Sequence, residues 1–115
     1  MQRTLNIETL NQIGKEVLLK GWVSTRRDHG KLIFLDLRDR SGIVQAVVNP
    51  RISPRAWEVA EKLRPEWVVE VVGQVNKRPR SSVNPELPTG TVEIEVKKLN
   101  ILAPAAELPF DLGTP

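Results

Sequence analysis

Apolar and polar residues alternate through much of this chain, and one segment breaks its own alternation. In residues 32–39, LIFLDLRD, the side chains of Ile33, Leu35 and Leu37 fall on one face and Asp36 and Arg38 on the other. Period-two alternation marks a strand with one face in a core and one in water. Phe34 stands on the polar face. Just upstream, Arg26 and Arg27 lie in a turn-like stretch that ends at Gly30. An outward aromatic beside a basic loop suits a protein that stacks an unpaired base while holding its phosphates. The same pattern also suits a phenylalanine shielded by a neighbouring loop, and periodicity alone leaves both readings open.

The rest of the chain parses around that strand. Residues 6–12 predict a short helical turn closed by Gly14. Residues 16–25 predict a first strand, with Gly21 inside it as a bulge or bend signal. Residues 25–31 read as a loop and 32–39 as the second strand. Arg40, Ser41 and Gly42 make a tight turn into a third strand over 43–49, completing a meander. Ser53 followed by Pro54 signals a helix start with a capping serine. Ala56, Val59, Ala60 and Leu63 then recur at helical spacing and stop before Pro65. A fourth strand is predicted over 67–77, with Gly73 interior. A long loop follows over 79–90, carrying Pro79, Pro85 and Pro88. The fifth strand, 91–102, has Val92, Ile94 and Val96 facing inward.

Composition narrows the chemistry. A chain of 115 residues is enough for one domain with one core. It holds no cysteine and a single histidine, His29, which excludes disulfides and thiolate chemistry and leaves little for a zinc site. No apolar run is long enough to cross a membrane. The N-terminus lacks the basic-then-apolar layout of a secretory signal, so a cytoplasmic location is expected. The formal charge is only +3, but cations concentrate at 26–31 and 77–80. Two basic loops could flank a groove that follows a phosphate backbone; ordinary surface charge would look the same.

Three strands, a helix and two strands describe an all-β architecture: the OB-fold, a five-stranded Greek-key barrel with a short helix between strands 3 and 4. Its second and third strands, with the loops between strands 1 and 2 and between strands 4 and 5, commonly bind oligonucleotides or oligosaccharides. The barrel is expected over 1–102. Residues 103–115, with Pro104, Pro109, Gly113 and Pro115, have the composition of a linker.

The segments GWVSTRRDHGKLIFLDLRDRSGIVQAVVNP (21–50), LRPEWVVEVVGQV (63–75) and TGTVEIEV (89–96) closely resemble the N-terminal anticodon-binding domain of bacterial-type aspartyl-tRNA synthetases. The resemblance covers essentially residues 1–102. It implies that the domain grips the anticodon loop of tRNA for aspartate, whose bases are G or its queuosine derivative, then U, then C. Phe34 matches the family's aromatic that stacks on the middle uridine. Gln45 matches the glutamine that bonds to that base, and an amide offers the donor and acceptor a uracil edge needs. Glu93 matches an acidic residue near the cytosine, whose amino group a carboxylate can accept from. By alternation alone Gln45 and Glu93 are equally plain surface residues, and Glu95 shares Glu93's parity. Arg27 matches a loop arginine that reaches phosphate or base edges. Arg78 and Asn84 sit where the family contacts the outer anticodon bases. Arg26 and Arg80 are candidate phosphate contacts.

Nothing in the chain resembles the synthetases' catalytic domain. The expectation is therefore an isolated recognition module with no catalytic residue, metal or cofactor of its own, ATP and Mg²⁺ belonging to the full-length enzyme. The resemblance further implies a homodimeric full-length enzyme, whereas the isolated domain is expected to be a monomer. At His29, members that charge only aspartate tRNA often carry leucine, and histidine resembles the relaxed type that also accepts tRNA for asparagine. Imidazole can donate or accept and so tolerate either third base, C or U; a solvated loop histidine fits equally. Two readings from other classes remain: a free-standing single-strand binding protein and a protein-interaction module anchored by Phe34.

Overall fold

A computed structural model describes residues 1–103. Five strands, β1 (Glu16–His29), β2 (Leu32–Asp39), β3 (Gly42–Val48), β4 (Val68–Lys77) and β5 (Val92–Ala103), close into a barrel in the order β1-β2-β3-β5-β4. The single α-helix, α1 (Pro54–Lys62), lies between β3 and β4. This is the OB-fold that the order of elements predicted. Ala103 completes β5, so the linker expected over 103–115 otherwise lies outside the described residues.

The inward residues of each strand supply the core. Val17, Leu19 and Val23 meet Leu35, Leu37, Val44, Val71, Ile94 and Val96 inside the barrel, and Ala56 and Ala60 of α1, with Leu63 just after it, plug one end. A 3-10 helix, Asn6–Asn11, covers part of the other end. Asn6 is fully buried there; its side-chain amide donates to the carbonyls of Leu37 (2.8 Å) and Gly42 (3.0 Å), and its backbone N–H donates to Asp39 (2.8 Å). Ser53 does precede the helix, but its hydroxyl does not cap it. Instead it donates to the Val96 carbonyl at 2.8 Å and ties the helix start to β5.

The largest departure from the sequence reading is the expected loop at 25–31, which is strand. β1 continues to His29 and pairs with β2 through Arg27 opposite Phe34, Asp28 opposite Ile33 and His29 opposite Leu32. Only Gly30 and Lys31 turn the hairpin, with Gly30 at φ +63, a conformation that favours glycine. Polar side chains hid this stretch from a hydropathy argument; backbone pairing alone makes it strand.

A bulge at Ser24 decides which basic side chains reach the outer face. Val23 pairs with Leu37 and Thr25 with Asp36, leaving Ser24 as the extra residue. Before the bulge odd residues face the core; after it Thr25 and Arg27 stand on the outer face with Asp36 and Phe34. Arg26 turns the other way, opposite Leu35. Its guanidinium donates to the carbonyls of Glu61 (2.6 Å) and Leu63 (3.1 Å) at the end of α1, and forms a two-point bond with Asp28 (2.9 and 3.0 Å). Asp28 is held below the ordinary carboxylate value by this hydrogen bond. Against the expected phosphate contact, the Arg26 donors are committed in this structure to Asp28 and to carbonyls at a helix C-terminus, where a cation is favoured.

Replacing Arg26 with alanine removes these hydrogen bonds and leaves the carbonyls to water. Arg26→Ala is expected to lower the unfolding free energy by about 0.5–1.5 kcal/mol, measured by urea denaturation, and to leave the salt dependence of RNA binding unchanged. An unchanged midpoint with a shallower salt slope would return Arg26 to the phosphate contacts.

Candidate nucleic-acid interface

The outer faces of β1, β2, β3 and β5 form one continuous polar surface. Its register sets Thr25 opposite Asp36, Asp36 opposite Gln45, and Gln45 opposite Glu93. The last pairing is parallel and spans only Gln45–Val47 of β3 against Glu93–Glu95 of β5. Beside this row, Phe34 stands between Arg27 and Val47. It is partly buried and lines an open groove of about 580 Å³ shared with Arg27, His29, Gln45, Arg78 and Ser82. Phe34 keeps part of its surface open to this groove, as the accessible reading requires, while Ser82 of the β4–β5 segment lines the same groove.

Hydrogen bonds join these side chains into a chain of contacts. Thr25 donates to Asp36 (2.6 Å), and Arg27 donates to Asp36 (3.4 Å) and to Oε1 of Gln45 (3.0 Å). Nε2 of Gln45 donates to Glu93 at 3.4 Å. Arg27 therefore fixes the orientation of the Gln45 amide, which keeps one donor and one acceptor uncommitted. Arg78 donates to the carbonyls of Val92 (3.0 Å) and Ser82 (3.1 Å), which hold it as one wall of the groove.

Burial raises the Glu93 carboxyl above its ordinary value, while Arg78 and the Gln45 bond pull it back and Glu95 adds to the rise. Burial likewise lowers the Arg78 guanidinium, opposed by Glu93 and Asp36 and reinforced by Arg27. Two cations and two carboxylates thus offset one another around the groove. Glu95, indistinguishable from Glu93 by parity, bonds instead to Lys97 (3.6 Å).

Arg27, Phe34, Gln45, Arg78, Glu93 and His29, separate in sequence, are brought together here. Arg80 and Asn84 are not. Arg80 lies on the far side of Arg78, in a smaller hollow with Ile13, Lys77 and Val83. Asn84 organises its own loop: its side-chain oxygen accepts from the Glu86 N–H (3.0 Å), and its N–H donates to Gly90 (3.0 Å). Sequence reasoning missed Thr25 and Asp36, which buttress Arg27. Asp36 flanks Phe34 on the polar face of β2, and that alternation could have found it.

A partly exposed aromatic, an oriented amide and fixed guanidinium groups can stack a base and read its edge. The comparisons agree with that chemistry. The family described as OB-fold nucleic acid binding domain matches residues 17–102. An aspartate–tRNA(Asp/Asn) ligase from Syntrophomonas wolfei is 49% identical over 112 residues, covering 96% of this chain and 19% of the relative. An aspartate–tRNA ligase from Halalkalibacterium halodurans is 54% identical over 101 residues, 88% of this chain and 17% of the relative. The chain thus spans about a fifth of the length of the curated relatives it matches. Among solved structures, asparaginyl-tRNA synthetase from Pyrococcus horikoshii superposes with a TM-score of 0.73 at 36% identity, over 89% of this chain and 23% of that one. Aspartyl tRNA synthetase from Entamoeba histolytica gives 0.77 at 25% identity, over 96% and 23%. Barrel, groove and sequence match together establish that the chain belongs to the family of OB-fold nucleic acid binding domains.

Proposed function

We propose that this chain is the anticodon-recognition module of an aspartate–tRNA ligase and binds the anticodon loop of tRNA for aspartate. The observation that carries this reading is the oriented contact chain Arg27–Gln45–Glu93 beside an accessible Phe34. Phe34 stacks on the middle uridine, and the free donor and acceptor of Gln45 match its edge. Glu93 accepts from the amino group of the third base, cytosine. Arg27 orients Gln45, and Arg78 closes the groove. Charging of tRNA with aspartate, its ATP and Mg²⁺, and dimerisation belong in this reading to the remainder of the ligase, acting in the cytoplasm. The domain alone is a monomeric binding module. Among the described residues no three His, Asp or Glu side chains gather into a metal site, and no helix is long and apolar enough to cross a membrane.

The deciding experiment titrates the domain with anticodon stem-loops in which each anticodon base is changed in turn. The expected result is strongest binding to the aspartate loop, weakening as salt rises. Equal binding to every loop would identify a general single-strand binder, because any base can stack. Phe34→Ala is expected to cost roughly 1–3 kcal/mol of RNA affinity and less stability than truncation of a core phenylalanine, about 3–5 kcal/mol. Unfolding of this variant would place Phe34 in the core.

Gln45→Ala and Glu93→Ala are expected to narrow discrimination at the middle and third bases, respectively. Glu93 also predicts opposite pH dependences. Its folded-state value is raised, so the folded domain holds the proton more tightly than the unfolded chain. Its contribution to stability is therefore fullest at low pH and is lost as pH rises through the raised value. Affinity for the cytosine loop needs the ionised carboxylate and climbs over the same window. Glu93→Gln is expected to flatten both curves, read by thermal melts and titrations across the acid range.

His29 faces the groove from the hairpin end and supports acceptance of asparagine-type as well as aspartate-type loops. His29→Leu is expected to sharpen preference for the aspartate loop. A hundredfold wild-type preference that His29→Leu leaves unchanged would remove this role.

A further inference from the structure

Gln45 is buried, only 7% exposed, so its protein neighbours rather than bulk water decide which way its amide faces. Those neighbours carry opposite charges on its two sides. Arg27 donates to Oε1 from β1, and Glu93 accepts from Nε2 on β5. A cation beside the oxygen and a carboxylate beside the nitrogen favour one of the two amide orientations. In the other, donor would meet donor and acceptor would meet acceptor. Arg27 does not supply that bias unaided, because its side chain is 55% exposed on a flexible stem. Asp36 holds it. A single guanidinium nitrogen, Nη2, donates both to Oδ1 of Asp36 (3.4 Å) and to Oε1 of Gln45 (3.0 Å), so the first bond aims the second. Asp36 is the firmer anchor, 19% exposed, and its Oδ2 accepts from the Thr25 hydroxyl at 2.6 Å. It does not line the groove and reaches it only through Arg27.

The direction of that amide bears on base identity. On its N3 and C4 side, uracil presents a donor, N3–H, and an acceptor, O4. Cytosine presents the reverse, an acceptor at N3 and a donor amino group at C4. The two pyrimidines are alike in size and stacking face, so an aromatic such as Phe34 does not separate them. An amide free to turn over pairs with either; one held with its oxygen toward N3 and its nitrogen toward O4 pairs only with uracil. We infer that Asp36, backed by Thr25, is a specificity-determining positioning residue: by holding Arg27 it locks the Gln45 amide in the orientation that accepts uracil and rejects cytosine at the middle base. The inference rests on the anticodon reading for the base that meets Gln45.

The test titrates the wild-type chain, Asp36→Ala and Thr25→Val with stem-loops carrying uracil, cytosine or guanine at the middle position. Guanine is the control: its N1–H and O6 present the same order as uracil, so size alone excludes it and turning the amide over does not admit it. Wild type is expected to prefer the uracil loop to both others. Asp36→Ala should shrink the preference over cytosine several-fold and leave the preference over guanine unchanged. Thr25→Val, a β-branched replacement of similar shape, should move the first ratio the same way by less, and it carries the test if Asp36→Ala does not fold. Without RNA, nuclear Overhauser contacts from the Gln45 side-chain NH₂ should reach Glu93 alone in wild type, and Arg27 as well in Asp36→Ala. Ratios unchanged in every variant that folds, or a wild type that rejects guanine but not cytosine, would overturn the role of Asp36 and leave the anticodon reading standing. Both preferences falling together would make Asp36 a general support of the sheet and also overturn it. Wild-type binding indifferent to the middle base would overturn the anticodon reading and this inference together.

Discussion

The closure of the barrel between β3 and β5 is the constraint on which the rest of the molecule depends. These strands run parallel and pair over only three residues each, yet that short seam turns an open meander into a barrel without free edges. Several contacts hold it in register. The Thr89 hydroxyl donates to the Ile43 carbonyl where the chain enters β5, and Ser53 bonds to Val96 just past the seam. Gly73 admits β5 closely; a Cβ there would meet the Glu95 carbonyl at 2.5 Å. The same seam sets Gln45 against Glu93. The interaction that completes the fold also builds the centre of the interface.

Around that centre, charge is distributed by role. Arg27 and Arg78 are offset by Asp36 and Glu93, so the groove holds oriented donors and acceptors with little net field. Lys31, Arg51 and Arg80, which form no ion pair with a carboxylate among the described residues, do not line it. This arrangement separates reading from holding. In the proposed reading, base edges would meet a site whose charges offset one another and whose geometry is fixed by hydrogen bonds, and phosphates the cations around it, the division expected where phosphate contacts position a nucleic acid and base contacts specify it.

The bulge at Ser24 makes a similar separation between neighbours in sequence. Arg26 and Arg27 are chemically identical, and one extra residue in β1 sends them to opposite faces. Arg26 then ends a helix and Arg27 orients the amide of Gln45. A shift of one residue at that point would exchange the two roles, because side chains alternate along a strand.

The sequence by itself determined the order of elements, the inward faces of β2 and β5, and the outward place of Phe34. Each follows from local periodicity or from a proline and a glycine acting on their own neighbours. The family resemblance added Arg27, Gln45, Glu93 and Arg78, which periodicity could not separate from solvated residues such as Glu95. Only the tertiary structure decided what depends on pairing between distant segments. It made residues 25–29 strand, because β2 supplied their hydrogen-bond partners. It tied Arg26 to the end of α1, which lies under it, and it found Asp36 and Thr25 behind Arg27. It kept Asn84 and Arg80 out of the groove, because the loop after β4 folds back on its own carbonyls. A strand's alternation is written in adjacent residues; the partner across a sheet is chosen by the whole chain.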